Sequence, residues 1–243
     1  VTNYTRFADP ALVRGKRIGV LRLHADEDEF TILAIQQAVR ALTDRGATII
    51  ENVDIPSMDG LLEDQEALLL AEFKHDIGAY LATRIEQPLR TLDDLIAFNE
   101  REATRELAHF GQEVFLAARG ALLLDDPSYV EKRIRATRKA GPEGIDAVLA
   151  EHDLDAVIAT QSSMAMPSVA GYPVMTVSTG LVEDVPIGVF LFGTKWSEPN
   201  LISIGSAIES GRRAFNRPKF VPTLPLGDGT GQAHWDLQGP WLR

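Results

Sequence analysis

The stretch "GKRIGVLRL" (residues 15–23) is a short apolar run that begins with a glycine and basic residues, a pattern typical of a buried strand. The segment "EFTILAIQQAVRALTDRG" (29–46) has apolar residues at three- and four-residue steps and ends on a glycine that can cap a helix. "ATIIENVDIP" (47–56) predicts a second strand, stopped by its proline. Because a strand, a helix and a strand joined by short links default to a right-handed βαβ unit, the sequence predicts a parallel strand pair.

A long helical block follows these strands. An apolar stripe through residues 57–82 predicts its first helix, and the members of the stripe are Leu62, Leu69, Phe73, Ile77 and Tyr80. Thr91 and Asp94 predict a capping box at the start of another helix, and Pro127 favours the first turn of a further one. We expect that helix to break at the Gly-Pro pair that begins at Gly141.

The last third of the chain returns to strands. Three short segments, rich in branched or aromatic residues, predict strands that are buried on both faces: "LDAVIAT" (154–160), "PVMTVST" (173–179) and "IGVFLFGT" (187–194). "SEPNLISIGSAIESG" (197–211) predicts a helix with Ser197 as its N-cap. The pattern as a whole predicts an α/β fold with about five strands, largely buried in one sheet, and five or six covering helices. Residues 212–243 are rich in proline and glycine, so we divide the chain into a domain at 1–211 and an extended tail at 212–243.

Composition and charge exclude several classes of function. The 24 Lys and Arg residues stand against 35 Asp and Glu residues, and the net charge of −11 argues against nucleic acid and anionic membranes as partners. The chain has no cysteine, which excludes disulfides, thiolate chemistry and cysteine-ligated zinc. No apolar run approaches the roughly 18 residues of a membrane span. A basic cluster lies beside Glu131 at helical spacing and predicts a solvated helix face rather than an anion site; it comprises Lys132, Arg133, Arg135, Arg138 and Lys139.

Two adjacent serines, Ser162 and Ser163, are the first candidates for a nucleophile. They lie in "ATQSSMAMPSVAGYP" (159–173), directly after a predicted strand. A serine nucleophile needs a base and backbone N–H donors for the oxyanion, and glycines commonly supply the room for those donors. Here no glycine flanks the pair, and the chain has neither a G-x-S-x-G nor an S-x-x-K motif. The residues therefore favour a polar loop whose hydroxyls cap backbone groups.

Histidines and lysines add no visible active site. None of the histidines, which are His24, His75, His109, His152 and His234, pairs at a metal-ligand spacing, so no metal is predicted. Lys74 and Lys195 have apolar neighbours, and a buried lysine could act as a general base if desolvation lowered its pKa. Snorkelling, or a salt bridge to Glu72 or Glu198, is the more ordinary role. No nucleotide-binding or Mg²⁺ motif is present, so no cofactor is predicted.

The order of several segments resembles the carboxy-terminal half of an amidase-signature family hydrolase. These segments cover about residues 4–211, and they are "VRGKRIGVLR", "LLLAEFKHDIGAYLATR", "TLDDLIAFNE", "LDAVIAT", "VAGYPVMTVSTG" and "PIGVFLFGTKWSEPNLISIGSAIE". The most specific pieces are "AGYPVMTVSTG" and "GVFLFGTKWSE". "EFKHDIGAYL" and "TLDDLIAFN" are most similar to the branch that contains peptide amidases. The resemblance implies a mixed sheet of the amidase-signature type, incomplete in this chain.

The resemblance also implies a reaction. Members of this family hydrolyse amides with a Ser–Ser–Lys triad in their amino-terminal half, where the two serines lie within a glycine- and serine-rich stretch. This sequence has no such stretch, so no catalytic residue is carried over and the chain alone is expected to be inactive. Gln161, Ser162 and Ser163 lie in the loop that, by resemblance, leads towards the pocket, and we expect them to line the substrate site.

The resemblance further predicts what surrounds the chain. The first residue is Val1, and we expect the chain to begin near the middle of a longer enzyme, as an expressed fragment or a proteolytic product. The strands at 155–160, 173–179 and 187–194 should then include a face or edge that the missing amino-terminal half, or a second copy, would cover. The expected partners are this half and a small-molecule or peptide amide substrate, and the expected location is cytoplasmic.

Two other functions remain open. The chain could be an autonomous, non-catalytic α/β binding or scaffold domain, which would need a closed sheet and a compact monomer. It could also belong to the amidase subunit of a tRNA-dependent amidotransferase. The two peptide amidase-like segments favour the stand-alone amidase branch over that subunit.

Overall fold

Five strands form one mixed sheet in the computed structural model, which describes residues 3–22, 28–58, 60–84, 86–160, 164–182 and 185–211. The strands are β1 (Arg17–Leu21), β2 (Thr48–Val53), β3 (Ala156–Ala159), β4 (Val174–Val182) and β5 (Val185–Phe192). Their order across the sheet is β2-β1-β3-β5-β4. β1 pairs in parallel with β2 and with β3, whereas β5 is antiparallel to both β3 and β4. The predicted parallel βαβ unit and the predicted α/β fold with a mixed sheet are confirmed.

Nine α-helical segments lie within the described residues. They are α1 (Glu29–Thr43), α2 (Leu61–Ala82), α3 (Leu92–Arg101), α4 (Ala103–Glu106), α5 (Glu113–Gly120), α6 (Pro127–Ala140), α7 (Asp146–His152), α8 (Ala165–Ala170) and α9 (Glu198–Ser210). Short 3₁₀ turns lie at Thr5–Phe7, Pro10–Val13 and Pro56–Met58. The expected break after α6 is instead a π-helical turn, Gly141–Ile145, that leads directly into α7.

One face of the sheet is covered by α1 and α9. Its core is a cluster of apolar side chains from α1, α9 and the strands β1, β3, β4 and β5. Large, fully buried members of this cluster are Ile18, Leu42, Ile158, Leu191, Leu201 and Ile204. These residues come from alternate strand positions and from three- and four-residue steps on the helices, as the sequence pattern predicts. The strongly apolar pattern of this half therefore corresponds to a well-filled layer.

The other face is covered by α2, α6, α7 and α8. This second core contains Leu61 and Leu68 of α2, Tyr129 of α6, Met166 of α8 and Phe192 at the end of β5. A smaller cluster joins α2 to α3 and α5, where the rings of Phe73 and Phe115 lie 5.5 Å apart. The helical block between β2 and β3 thus forms a layer on one side of the sheet.

β3 is buried by both layers. Ala156 and Ile158 face the α1–α9 side, Val157 and Ala159 face the opposite side, and each of the four side chains is at most 1% exposed. The expectation of an uncovered face therefore does not hold for residues 155–160.

Beyond Phe192, the strands β5 and β4 are covered on one side only. Val177 and Val189 are buried against the α1–α9 side, whereas Val174, Thr176 and Gly188 on the opposite side are exposed. Opposed residues in an antiparallel pair share a face, so this exposed area runs across both strands. We call it the open β4–β5 face, and β4 is also the sheet edge within the described residues. The expected uncovered area is therefore present in the segments 173–179 and 187–194.

α2 buries only part of the apolar stripe that marks it in the sequence: Phe73 and Ile77 pack against the cluster formed with α3 and α5. Leu62, Leu69 and Tyr80 are exposed, and the buried positions towards the sheet are instead Leu61, Leu68 and Ala71. The stripe is only partly buried because α2 carries apolar residues on more than one side, with three consecutive leucines at 68–70. Periodicity identifies such a helix but cannot choose its buried face.

The ends of the helices test the predicted caps. The Thr91–Asp94 capping box is present, with both reciprocal hydrogen bonds. Pro127 lies in the first turn of α6, as predicted, after an Asp126 side chain that accepts from the Ser128 N–H. Ser197 precedes α9, but its side chain makes no capping hydrogen bond, and its hydroxyl is buried without a partner among the described residues. Ser197 is therefore the N-cap residue of α9, as predicted, but its hydroxyl does not bond to the helix; the side chain packs against Gly193, where an added Cβ would lie 2.5 Å from the hydroxyl oxygen.

Candidate functional site

The predicted pocket residues, Gln161, Ser162 and Ser163, lie outside the described residues. The loop that carries them leaves β3 after buried Thr160 and enters α8 at Ala165. Their predicted role in lining a substrate site stays a prediction. The division of the chain at residue 211 also stays a prediction, since residues 212–243 lie outside the described part.

α8 fixes the far end of this loop. Its first turn is buried, and Met166 is packed into the core between the helices and the sheet. Gly171 ends the helix with a φ of 68°, and the N–H of Tyr172 then donates to the carbonyl of Pro167 at 2.9 Å. A left-handed residue at this point favours glycine because a side chain would be strained there. The Gly-Tyr-Pro turn therefore redirects the chain from α8 into β4.

A carboxylate joins the two most family-specific segments. Asp146, at the start of α7, accepts hydrogen bonds from the Tyr172 hydroxyl and from Thr194 Oγ1, each at 2.6 Å. Tyr172 belongs to the Gly-Tyr-Pro turn and Thr194 follows β5, so the carboxylate holds two sheet ends together. Burial, and then the Asp146 acceptor, raise the pKa of Tyr172 to about 12. The tyrosine is therefore a permanent donor at neutral pH, which suits a structural cluster rather than proton transfer.

Gly141 makes room for this arrangement. A Cβ at this position would come within 3.1 Å of the Tyr172 hydroxyl oxygen. The glycine that begins the π-helical turn thus allows the ring to approach α7 closely.

The basic cluster on α6 binds carboxylates of its own chain. Arg135 donates from Nε and Nη2 to the two oxygens of Asp64 at 2.8 and 2.6 Å, and Lys132 donates to Oδ1 at 3.2 Å. Asp64 is buried, and the hydrogen bonds from Arg135 hold the pKa of its carboxyl below the usual value. Arg138 pairs with Glu143 at 3.1 Å. The prediction of a fully solvated face is wrong for Lys132 and Arg135, because α2 presents a buried carboxylate to them.

The two lysines with apolar neighbours do not form the expected salt bridges among the described residues. Lys74 Nζ donates to the carbonyl of Ala121 at 2.8 Å. Lys195 is exposed, and its Nζ lies 5.8 Å from the ring centroid of Trp196. Neither contact gives a lysine the environment of a general base.

The described residues contain neither a metal-binding cluster nor a membrane-spanning helix. No group of histidine, aspartate and glutamate side chains there could hold a metal ion. His75 is exposed, with Nδ1 2.7 Å from Asp76 Oδ1, while His24 and His234 lie outside the described residues. None of the described helices has both the length and the apolarity required to cross a bilayer.

Sequence reasoning missed Asp64 and Asp146. Asp64 could have been found, because it shares the three- and four-residue spacing of Leu61, Leu68 and Ala71 on the buried face of α2. A lone carboxylate on that face requires a cationic partner. Asp146 carries no comparable local pattern.

Comparisons with known proteins agree with this architecture. No protein-family model matches the chain. A probable amidase of Arabidopsis thaliana is 31% identical over 225 residues, which covers 90% of this chain and 42% of that protein. The peptide amidase of Stenotrophomonas maltophilia is 40% identical with a TM-score of 0.79, over 89% of this chain and 47% of that structure. A bacterial aryl acylamidase of the amidase-signature family, at 16% identity and a TM-score of 0.61 over 86% of this chain and 46% of that structure, shares the fold.

These similarities show an α/β protein that has the same mixed sheet as the amidases. The chain belongs to the amidase-signature family and corresponds to the carboxy-terminal half of its relatives. It spans less than half the length of the relatives and structures that it matches. The predicted family and fold are therefore confirmed.

Proposed function

We propose that the whole protein is an amidase that hydrolyses carboxamide C–N bonds, and that residues 1–243 form the half that shapes the substrate site. The observation that carries this proposal is the 40% identity to a peptide amidase, together with a shared fold at a TM-score of 0.79. Amidase names on the curated relatives support the same reaction.

The reaction would use a Ser–Ser–Lys triad outside these residues. In that scheme a serine oxygen bonds to the amide carbonyl carbon while a second serine relays the proton of the first to a neutral lysine. The same proton returns from the lysine to the amide nitrogen as the C–N bond breaks and the amine leaves. Water then attacks the acyl ester, its proton follows the same path, and the ester C–O bond breaks to release the acid and the free serine. Three hydroxyls within the described residues, those of Ser168, Ser203 and Ser210, each donate to a backbone carbonyl instead. These three hydroxyls are thereby engaged by the backbone. The proposal that Gln161, Ser162 and Ser163 line the pocket rests on the family resemblance.

The open β4–β5 face supports the proposal that another part of the protein packs against this chain. Val174, Thr176 and Gly188 leave a half-apolar sheet face beside an edge strand, and relatives contain as much chain again beyond the matched part. We propose that the amino-terminal half covers this face, and that a second copy does so only when that half is absent. An autonomous scaffold domain would require a closed sheet, so the open face disfavours that alternative.

The substrate is proposed to be a small-molecule or peptide amide, and the location to be cytoplasmic. The likeness to a stand-alone peptide amidase favours this branch over the subunit of a tRNA-dependent amidotransferase. Subcellular fractionation of the source cells would test the location.

An activity assay tests the proposal. Simple amides and peptide amides are given to the full-length protein and to residues 1–243, and release of ammonia is measured. We expect turnover by the full-length protein only, because the residues that the structure describes show no nucleophile with a positioned base. Turnover by residues 1–243, or an inactive full-length protein that is folded, would contradict the assignment.

A further inference from the structure

A cavity of about 440 Å³ lies between α2, α6 and the end of α8. Its volume falls within the range of small-molecule sites, which is roughly 300–1,000 Å³. α8 is also the element that the predicted pocket loop enters. The cavity is lined by the turn at 168–171 and by Gln65, Leu68, Leu69, Glu72, Arg133 and Thr137.

Exposed apolar side chains lie on the two helices that form the cavity. Leu69 of α2 is 61% exposed and lines the cavity, and Leu62 lies two turns before it on the same side of the helix. On α6, Ile134 is 64% exposed and lies one turn before the cavity residue Thr137, although Ile134 itself does not line the cavity. Large apolar residues that cluster around a cavity indicate a site for a ligand with an apolar group.

A polar network occupies one wall of the cavity. The hydroxyl of buried Tyr129 donates to Glu72 Oε1 at 2.8 Å and accepts from Arg133 Nη1 at 3.2 Å. Burial and the Glu72 acceptor raise the pKa of Tyr129, which therefore keeps its proton and its role as a donor at neutral pH. Because Tyr129 is fixed in the core, its hydroxyl orients the Glu72 carboxylate and the Arg133 guanidinium at the wall of the cavity.

Glu72 and Arg133 are not fully used by this network. Their closest approach is 4.0 Å, and the side chains are 45% and 62% exposed. Within the described residues, the hydrogen bonds to Tyr129 use Glu72 Oε1 and Arg133 Nη1, so the cavity is lined by an acceptor, the Glu72 carboxylate, and by a donor, the Arg133 guanidinium, whose atoms approach to 4.0 Å. An amide group presents the complementary pair, an N–H donor beside a carbonyl acceptor.

We propose that this cavity is a ligand subsite that binds an amide group through Glu72 and Arg133 and an adjoining apolar side chain against Leu69. The carboxylate accepts from the ligand N–H, the guanidinium donates to the ligand carbonyl, and the apolar group is withdrawn from water by the leucine. The inference rests on the proposed function, since the ligand is the part of an amide substrate that extends beyond the bond to be cleaved. The subsite selects substrates with a second amide and a branched side chain over simple amides.

Calorimetric titration of residues 1–243 with N-acetyl-L-leucinamide tests the subsite. We expect saturable binding, and a dissociation constant raised at least tenfold by Glu72→Gln or Arg133→Gln, because each change removes a charged partner of the amide. Leu69→Ala should weaken binding about threefold, by loss of buried apolar area. N-acetylglycinamide, which lacks the apolar side chain, should bind the wild-type chain more weakly than the leucine compound.

The chain provides matched controls. Arg101 and Glu102 also form an exposed ion pair, with side chains 63% and 43% exposed, but they do not line the cavity. Arg101→Gln and Glu102→Gln should change the dissociation constant less than twofold. Unaltered binding by folded Glu72→Gln and Arg133→Gln proteins, or no saturable binding by the folded wild-type chain, would overturn the subsite. A full-length protein that lacks amidase activity, beside a chain that binds with the expected pattern, would overturn the proposed function and leave the subsite standing.

Discussion

The two faces of the sheet are covered by different means. On the α1–α9 side the core is a continuous set of apolar side chains, and it reaches all the way to β4 and β5. On the other side the helical layer stops at Phe192, leaves the open β4–β5 face bare, and is anchored by two carboxylates, Asp64 and Asp146. Hydrophobic burial dominates the first layer, where Lys16, directly before β1, adds a hydrogen bond to Asn200 of α9 at 2.9 Å. The second layer also has an apolar core, and its two carboxylates add directional hydrogen bonds to that core.

The largest expected effect separates two valines on neighbouring strands. Val189 is 1% exposed on the closed side, and Val174 is 40% exposed on the open β4–β5 face. Val189→Ala should lower the free energy of unfolding by about 2–3 kcal/mol, since it removes buried methyl groups and leaves a cavity. Val174→Ala should cost about 0.5 kcal/mol or less. Urea denaturation of residues 1–243 measures both.

The same two valine substitutions can be compared between residues 1–243 and the full-length protein. If the amino-terminal half covers the open face, the cost of Val174→Ala should rise there to about 1–2 kcal/mol. Equal costs in the chain and in the full-length protein would show that this face stays in water.

The second expected effect concerns the anchor at Asp64. Asp64→Asn should destabilise the chain by about 2 kcal/mol, because Arg135 and Lys132 lose a buried ionic partner but can partly turn to solvent. The folded pKa of Asp64 lies below its unfolded value of about 3.9, so its stabilisation is present above that pH and is lost as the pH falls towards the folded pKa. Urea denaturation at pH 7, 5, 4 and 3 should therefore show the wild-type and Asp64→Asn stabilities converging at low pH. Glu131→Gln, a change to a mostly exposed neighbour of Arg135, is the control, and parallel curves for all three proteins would rule out the anchor.

The smallest expected effect concerns the anchor at Asp146. Tyr172→Phe should cost about 1 kcal/mol, since it removes one hydrogen bond while Thr194 still donates to the carboxylate. The pKa of Tyr172 is raised to about 12, so its contribution is present below the unfolded value of about 10 and is lost as the pH rises through 12. Ultraviolet titration of the tyrosines should show a late step in the wild type whose amplitude falls by one tyrosine in Tyr172→Phe, while the raised pKa of Tyr129 keeps its own contribution. An unchanged amplitude of the late step in the variant would show that the pKa of Tyr172 is not raised.

The sequence predicts the closed side of the sheet better than the helical side. β1 and β2 follow from short apolar runs, and α1 and α9 from helical spacing, because each of the two helices buries one face against the same core. α2 contacts the sheet, α3 and α5 at once, so its apolar residues lie on several sides and Leu62, Leu69 and Tyr80 of the predicted stripe are exposed. The helical block also contains more helices than expected, because the break at Glu102 carries no proline or glycine and the single Gly111 before α5 is a weaker signal than a Gly-Pro pair.

The candidate sites depend on contacts between residues that are distant in the chain. Asp146 meets Tyr172 and Thr194 only after the sheet has formed, and Glu72 meets Tyr129 and Arg133 only after α2 and α6 have packed. The spacing of residues along the chain does not indicate such long-range contacts. Gln161, Ser162 and Ser163 were inferred from their order in the family, and their role stays a prediction.

The short strand β3 has a consequence for how the chain folds. The β1–α1–β2 unit and the β4–β5 hairpin each form from neighbouring segments, whereas β3 must pair with β1 across the whole helical block. Contacts of such long sequence separation form late, because the loop between them must first be closed. Four small, fully buried residues therefore couple two locally formed units into one cooperative sheet, and the rate at which this chain reaches its native state should depend on when β3 docks.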